Sequence, residues 1–257
     1  MANDFSQDPT CVALYDFEDG ALETDSQSTN TLTNVNTVVA NTVDFKQGAA
    51  SADFELASAQ YFARANADLT ADFPGKSGTT NKSFTFAAWM MQESLATSGN
   101  RRTLVAKYDT GGNNRSYLAY IAGSTDNFAS LAVGYNGGAS AELVAHASDL
   151  VIDTWYHITF TFDNDSFDWS IRVRDTNGDV VGTDATGTMT LDVNGLSIET
   201  TEFRIGEAST TASDFMDGEI DELVIFNRAI TEEEAQQITD GTFGAADESI
   251  VWYAALV

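Results

Sequence analysis

Apolar residues alternate with polar or small ones in short runs along the 257-residue chain, and clusters of Gly, Asn, Asp, Ser and Thr separate the runs. A period of two gives an extended segment one face for a core and one for solvent, the pattern of half-buried antiparallel strands. The runs predict strands at 11–17 (CVALYDF), 51–55, 60–64, 83–91 (SFTFAAWMM), 103–108, 116–122 and 128–135. Further strands are predicted at 141–147, 155–163 (WYHITFTFD), 168–174, 179–182, 189–193, 202–206 and 219–226. The connections at 109–114 (DTGGNN), 135–138 (YNGG), 163–166 (DNDS) and 175–179 (DTNGD) hold residues that accept positive φ or close turns with their own side chains, so they read as hairpin tips. Many short strands joined by such turns predict an all-β, two-sheet antiparallel sandwich.

One short helix is predicted at 231–238 (TEEEAQQI), where Thr231 caps the first turn and Glu232, Glu233 and Glu234 meet the positive end of the helix dipole. The Ser/Thr/Asn-rich stretch 24–44 reads as a surface excursion with edge-strand character. No repeat or linker divides the chain, so residues 1–257 are expected to form one domain with a core at about 11–240 and a C-terminal extension at 241–257. The end of that extension, 248–257 (ESIVWYAALV), is apolar enough that docking or an interface is expected for it.

Composition narrows the chemistry. Hydrophobic residues make up 43% of the chain and include 16 Phe, enough for a core and incompatible with intrinsic disorder. Only 12 Lys plus Arg oppose 39 Asp plus Glu, a formal charge of -27 that repels phosphate backbones and anionic lipid and attracts cations. Nucleic acid and membranes are therefore not expected partners, and calcium is the natural counterion. Cys11 is the single cysteine and His146 and His157 the only histidines, so neither a disulfide nor a Cys/His zinc site is available. The N-terminus MANDFSQDPT has no basic stretch or apolar run of the secretory kind, and no apolar run nears the ~20 residues that cross a bilayer. An extracellular or virion-associated setting without a classical signal peptide in this chain is the expectation.

Several segments, in order, resemble laminin G-like jelly-roll domains of the concanavalin A-like class. VALYDFEDG opens the chain as such domains open, and QGAASADFE at 47–55 is similar to the segment that follows in them. SFTFAAWM at 83–90, WYHITFTFD at 155–163, FRIG at 203–206 and FMDGEIDELVIFNRAITEEE at 215–234 continue the likeness over about residues 11–240. SIRVRDTNGDVVG departs from the usual hairpin after Trp169. The resemblance implies a two-sheet jelly roll, and the chain's opening is also similar to small bacteriophage and prophage structural proteins of this kind.

Related family 16 glycoside hydrolases place two carboxylates on one face of a strand, ~5 Å apart for retaining chemistry. In the segment Glu219, Ile220, Asp221, Glu222 a regular strand puts Glu219 and Asp221 on one face, Leu223 third on that face and Glu222 on the other, so the spacing is broken and no catalysis is expected. His157 reads as a packed sheet histidine. A structural calcium is implied by the resemblance, with Asp221, the Gly48 carbonyl, and Glu18 or Asp16 as ligands, a set of hard oxygens that suits the ion. Alternating strand directions bring three tips to one end of the sandwich and nominate Asp109, Asn113, Asn114, Tyr135, Asn136, Asp163, Asn164 and Asp165 for carbohydrate, through amides and carboxylates on hydroxyls and an aromatic on a sugar ring. Two functions follow: a non-catalytic carbohydrate-binding module with a structural calcium, whose partner is a glycan or other surface ligand, or a structural or decorating protein of a phage virion or other assembly, with a protein partner.

Overall fold

The computed structural model describes residues 3–80, 82–97, 99–123, 127–208 and 214–245, so the apolar stretch at 248–257 lies outside the described residues. The strands are β1 (Cys11–Tyr15), β2 (Thr33–Val35), β3 (Val39–Asn41), β4 (Ser51–Phe54), β5 (Tyr61–Arg64), β6 (Phe84–Gln92), β7 (Arg101–Asp109) and β8 (Asn114–Gly123). They continue as β9 (Asn127–Tyr135), β10 (Ser140–Ala145), β11 (Tyr156–Phe162), β12 (Asp168–Arg174), β13 (Ala185–Thr188), β14 (Phe203–Ile205) and β15 (Gly218–Phe226), and helix α1 (Glu232–Thr239) follows. One sheet runs β13-β12-β11-β6-β15-β4-β3 with β1 also paired to β15, and the other runs β10-β9-β8-β7-β14-β5-β2. The pairing is antiparallel throughout, and the two sheets form an all-β sandwich of the jelly-roll kind.

The predicted runs at 179–182 and 189–193 do not form strands. Val180 makes a single bridge to Arg174, and the edge of β12 is covered instead by β13. Its sequence, ATGT, lacks apolar alternation because β13 is an outermost strand, exposed at every second residue. Within 24–44 two short strands form, β2 and β3, each at the end of its sheet. Asp25 organises the approach to them: its carboxylate accepts from the backbone N–H groups of Leu14, Gln27, Ser28 and Asn30. Asn30, wholly buried, then accepts from Thr70 N–H and donates to the Val12 carbonyl.

Alternation sends one face of each sheet inward. Tyr15, Phe17, Phe54, Phe62, Phe84, Phe86, Tyr117, Phe160, Phe162 and Phe203 are fully buried between the sheets. The opposite face of the first sheet buries Ala87, Val224 and Phe226 beneath Ile230, Ala235 and Ile238 of the helix region, with Phe5 and Phe243 closing the side. His157 also lies on this face, fully buried, and its Nδ1 meets Thr239 Oγ1 of α1 at 2.7 Å. Burial pushes its pKa down to about 3, so it stays neutral and acts as a packing residue.

Thr231 closes α1 with a capping box, since its hydroxyl accepts from Glu234 N–H while the Glu234 carboxylate accepts from Thr231 N–H. Arg228 holds the same carboxylate at 2.7 and 2.8 Å. Thr231→Ala should therefore lower the unfolding free energy by about 1 kcal/mol, measured by urea titration. No loss would show that the Arg228 pair alone fixes the helix start.

Candidate functional site

Strand β15 borders two partners along one edge: Gly218–Ile220 pair with β4, and Leu223–Phe226 pair with β1. Between these stretches its register against β6 shifts, and Glu222 adopts φ 51°. This bulge brings the end of β1 and the turn before β4 to the same point on β15. Four carboxylates gather there. Asp221, wholly buried, accepts from Lys46 N–H at 2.7 Å and Gln47 N–H at 2.9 Å through Oδ2, while its Oδ1 is buried without a protein partner. Glu18 accepts from Ala49 N–H and lies so close to Gly48 that a Cβ there would collide with its carboxylate. Asp16 takes the hydroxyl of Ser26.

Burial, then Asp16, Asp221 and Glu18, push the Glu222 carboxyl up to about 8. Burial likewise raises Asp221 to about 6, against the Gln47 and Lys46 N–H groups that favour its charged form. An unpartnered buried carboxylate oxygen amid like charges has the chemistry of a cation site, although among the described residues no three His, Cys, Asp or Glu side chains converge as metal ligands.

A separate cleft of about 440 Å³ opens on the solvent side of β11, β12 and β13, and Thr161, Asp168, Ser170, Arg172, Thr186 and Thr188 are among the residues lining it. Thr161 and Ser170 share a hydrogen bond of 2.6 Å, Arg172 donates to Ser170, and Thr188 donates to Asp168 at 2.6 Å. The Trp169 indole lies on the other, core-facing side of the sheet and crosses Gly187, whose missing Cβ leaves the room. Asp168 is held below the usual carboxylate range by the Thr188 and Ser166 hydroxyls and is ionised at neutral pH. The cleft thus presents hydroxyls, a carboxylate and a guanidinium. The Thr/Ser content of 161–188 is a sequence signal for it, but the pairing that aligns those hydroxyls is not.

The three tips nominated from sequence are each tied to one connecting segment, 192–201. Leu196 N–H donates to Asn164 Oδ1, Gly138 N–H to Ser197 Oγ, and Thr201 Oγ1 to the Asn114 carbonyl. Asp109 and Asn114 line a cleft of about 360 Å³ with Asn66, Glu202 and Arg204. Asp109 and Asp163 each accept a backbone N–H within their own turns, from Gly111 and Asp165. Asn113 and Asn136 adopt φ 57° and 56° and are exposed, Asp165 is exposed, and Tyr135 is half-buried beside them. Asp163 alone of the eight reaches the hydroxyl-lined cleft.

Residues 65–236, well over half of the chain, match the laminin G-like family of the concanavalin A-like lectin/glucanases superfamily. The chain belongs to that family. Among solved structures it is similar to the binding domain of botulinum neurotoxin DC in complex with rat synaptotagmin II, with a TM-score of 0.60 and 10% identity over 91% of this chain and 52% of that one. It is also similar to botulinum neurotoxin type C, whose cell entry depends on interaction with two ganglioside molecules, with a TM-score of 0.58 and 11% identity over 91% of this chain and 51% of that one. The Ruminococcus gnavus sialidase CBM40 bound to α2,3 sialyllactose matches with a TM-score of 0.48 and 13% identity over 61% of this chain and 82% of that one. The chain spans about half the length of the two toxin chains. At these identities the likeness shows the fold alone. No curated protein matches the sequence.

For a laminin G-like domain, the carboxylate spacing of β15 needs a correction. The bulge at Glu222 resets the alternation, so Ile220, Leu223 and Ile225 face the main core while Val224 and Phe226 face α1. Glu219 and Asp221 stand opposite Met91 and Trp89, and the next residue on their face is Val224, not Leu223 as a regular strand would have it. The third place on this face still carries no carboxylate. Glu219 accepts from Asn41 at 2.9 Å, and burial pushes its carboxyl up to about 7.

Raised carboxyl pKa values mean that the native state binds protons more tightly than the unfolded chain, so stability falls as pH rises. For Glu222 the window runs from 4.5 to about 8, and for Asp221 from 3.8 to about 6. Glu222→Gln should flatten the fall above about pH 6 in a series of denaturant midpoints without added divalent cation. An unchanged slope there would assign the dependence to other groups.

Proposed function

We propose that this chain is a non-catalytic carbohydrate-binding module, which takes glycan in the hydroxyl-lined cleft over β11–β13 and holds a structural calcium at the junction of β1, β4 and β15. The cleft carries the reading. The Thr161, Ser170 and Thr188 hydroxyls are fixed by one another and by Arg172 and Asp168, so a sugar meets preset donors and acceptors. Function resides in sites grafted onto folds, so the reading rests on this lining and not on the toxin neighbours.

Calcium would be held by Asp221, the Gly48 carbonyl, and Glu18 or Asp16. It would neutralise carboxylates that now repel one another and would satisfy the unpartnered oxygen of Asp221. Its role is to tie β1 and the turn before β4 to β15, with no part in a reaction. The absence of a third carboxylate on the Glu219–Asp221 face supports a binding role over hydrolysis.

A glycan array, run with calcium and with chelator, tests the proposal. The wild-type chain should bind a defined glycan class, and Asp168→Ala should abolish that binding at an unchanged thermal midpoint, since Asp168 is exposed. Binding that survives Asp168→Ala but is lost on Asn113→Ala or Asn136→Ala would move the site to the tips, and no binding on a broad array would overturn the reading. Chelation of a verified calcium-loaded sample should lower the midpoint, by the equivalent of roughly 2.7 kcal/mol if calcium had stood at a hundredfold excess over its dissociation constant. Asp221→Ala should remove that response.

A further inference from the structure

Leu95, Val151 and Ile152 are large apolar side chains that are 49%, 53% and 40% exposed, and they line one cleft of about 310 Å³ with Leu150, Asn127 and Asp149. Scattered exposed hydrophobics are ordinary; three around one cleft mark an interaction surface. The loops that carry them are pinned to the sheets. Leu150 N–H donates to the Asn127 carbonyl at 2.9 Å, Ala96 N–H to Asn127 Oδ1 at 3.1 Å and Asn127 N–H to Asp149 Oδ1 at 2.9 Å. Gln92, at the end of β6, donates to the Leu150 carbonyl and accepts Asp153 N–H. Beneath the patch Arg102, buried, donates to the carbonyls of Ser94 and Leu95. The apolar side chains are therefore held outward by a fixed framework, which spares a partner the cost of ordering them.

The rim decides what fits. Asp149 lines the cleft and is exposed, and two further exposed carboxylates stand next to lining residues in the chain, Asp153 directly after Ile152 and Glu93 two residues before Leu95. Partial burial, then Asp53, Glu55, Asp217 and Asp153, raise the Glu93 carboxyl, so acidic groups extend from it along the neighbouring sheet face. A second copy of this chain would bring its own acidic surface, at a net charge of -27, against this rim. A cationic partner gains from the same field.

We propose that the patch formed by Leu95, Val151 and Ile152 docks a polypeptide segment in which apolar side chains are flanked by Lys or Arg. The apolar residues fill the cleft and supply contact energy, while the basic ones meet Glu93, Asp149 and Asp153 at the rim and set orientation. The site is separate from the hydroxyl-lined cleft, and its test needs no glycan.

Full-length protein would be screened on an array of random-sequence peptides, and the enriched peptides titrated in solution. Enrichment should combine Leu, Ile, Val, Met or aromatic residues with Lys or Arg, and affinity should fall as salt is raised from about 0.05 to about 0.5 M. Val151→Asp/Ile152→Asp should weaken binding by roughly tenfold or more at an unchanged thermal midpoint, and Leu95→Asp provides an independent variant should the double one fail to fold. Absent enrichment, enrichment in acidic residues, or binding that persists in a folded variant would overturn the proposal. So would displacement of the bound peptides by a synthetic peptide of residues 246–257, which would assign the cleft to the chain itself. A wild-type dimer that these substitutions dissociate, seen by ultracentrifugation, would assign it to a second copy and equally overturn it.

Discussion

Strand β15 pairs with two different strands along a single edge, and the bulge at Glu222 makes this possible. A regular strand would present one uninterrupted ladder to one neighbour. Here the shifted register lets β4 take the first stretch and β1 the second, while β6 runs along the other edge. The same bulge resets the side-chain alternation, so Leu223 and Ile225 enter the main core and Val224 and Phe226 receive the helix. The acidic junction is a by-product of this geometry, because Asp16, Glu18, Gly48 and Asp221 meet where one partner ends and the other begins.

Excess carboxylate shapes the molecule in two ways. On exposed loops it costs little and keeps the surface hydrated. Where the fold buries it, the cost is reduced by backbone N–H groups, as at Asp221, or by protonation, which the raised values of Glu219 and Glu222 favour. Buried basic groups are treated similarly. Lys107 reaches Asn66 Oδ1 and the carbonyls of Glu199 and Thr201, and burial pushes its pKa down to about 7. Its ammonium thereby ties the 192–201 segment to the end of β7, which sets how the tips are braced.

The tips and the outer cleft show why turn chemistry alone misplaces a binding surface. Asp109, Asp163 and Asn164 are the residue types that bind hydroxyls, and they are also the types that close turns. In this chain each uses an oxygen on nearby backbone. By contrast Thr161, Ser170, Thr186 and Thr188 stand out in sequence only as members of a stretch rich in Thr and Ser. They form a recognition surface only because the register of β11, β12 and β13 aligns them on one face.

By itself the sequence determined the sandwich, most of its strands and the start of α1, because alternation, turn residues and caps are local signals that survive in a linear reading, whereas a grouping of Asp16 or Glu18 and Gly48 with Asp221 was implied only by the family resemblance. It also determined that the face carrying Glu219 and Asp221 lacks a third carboxylate, since neither Leu223 of a regular strand nor Val224 of the bulged one supplies it. Only the tertiary structure decided that β13, not 189–193, covers β12, because an outer strand with no core face leaves no hydrophobic period to read. It likewise decided the bulge at Glu222, whose positive φ is set by the competing registers of β1, β4 and β6 and not by the residue type. The exposed patch at Leu95, Val151 and Ile152 belongs to the same class. An apolar residue in a loop sequence does not disclose whether the fold will cover it, since that depends on loops far apart in the chain meeting across Asn127 and Gln92.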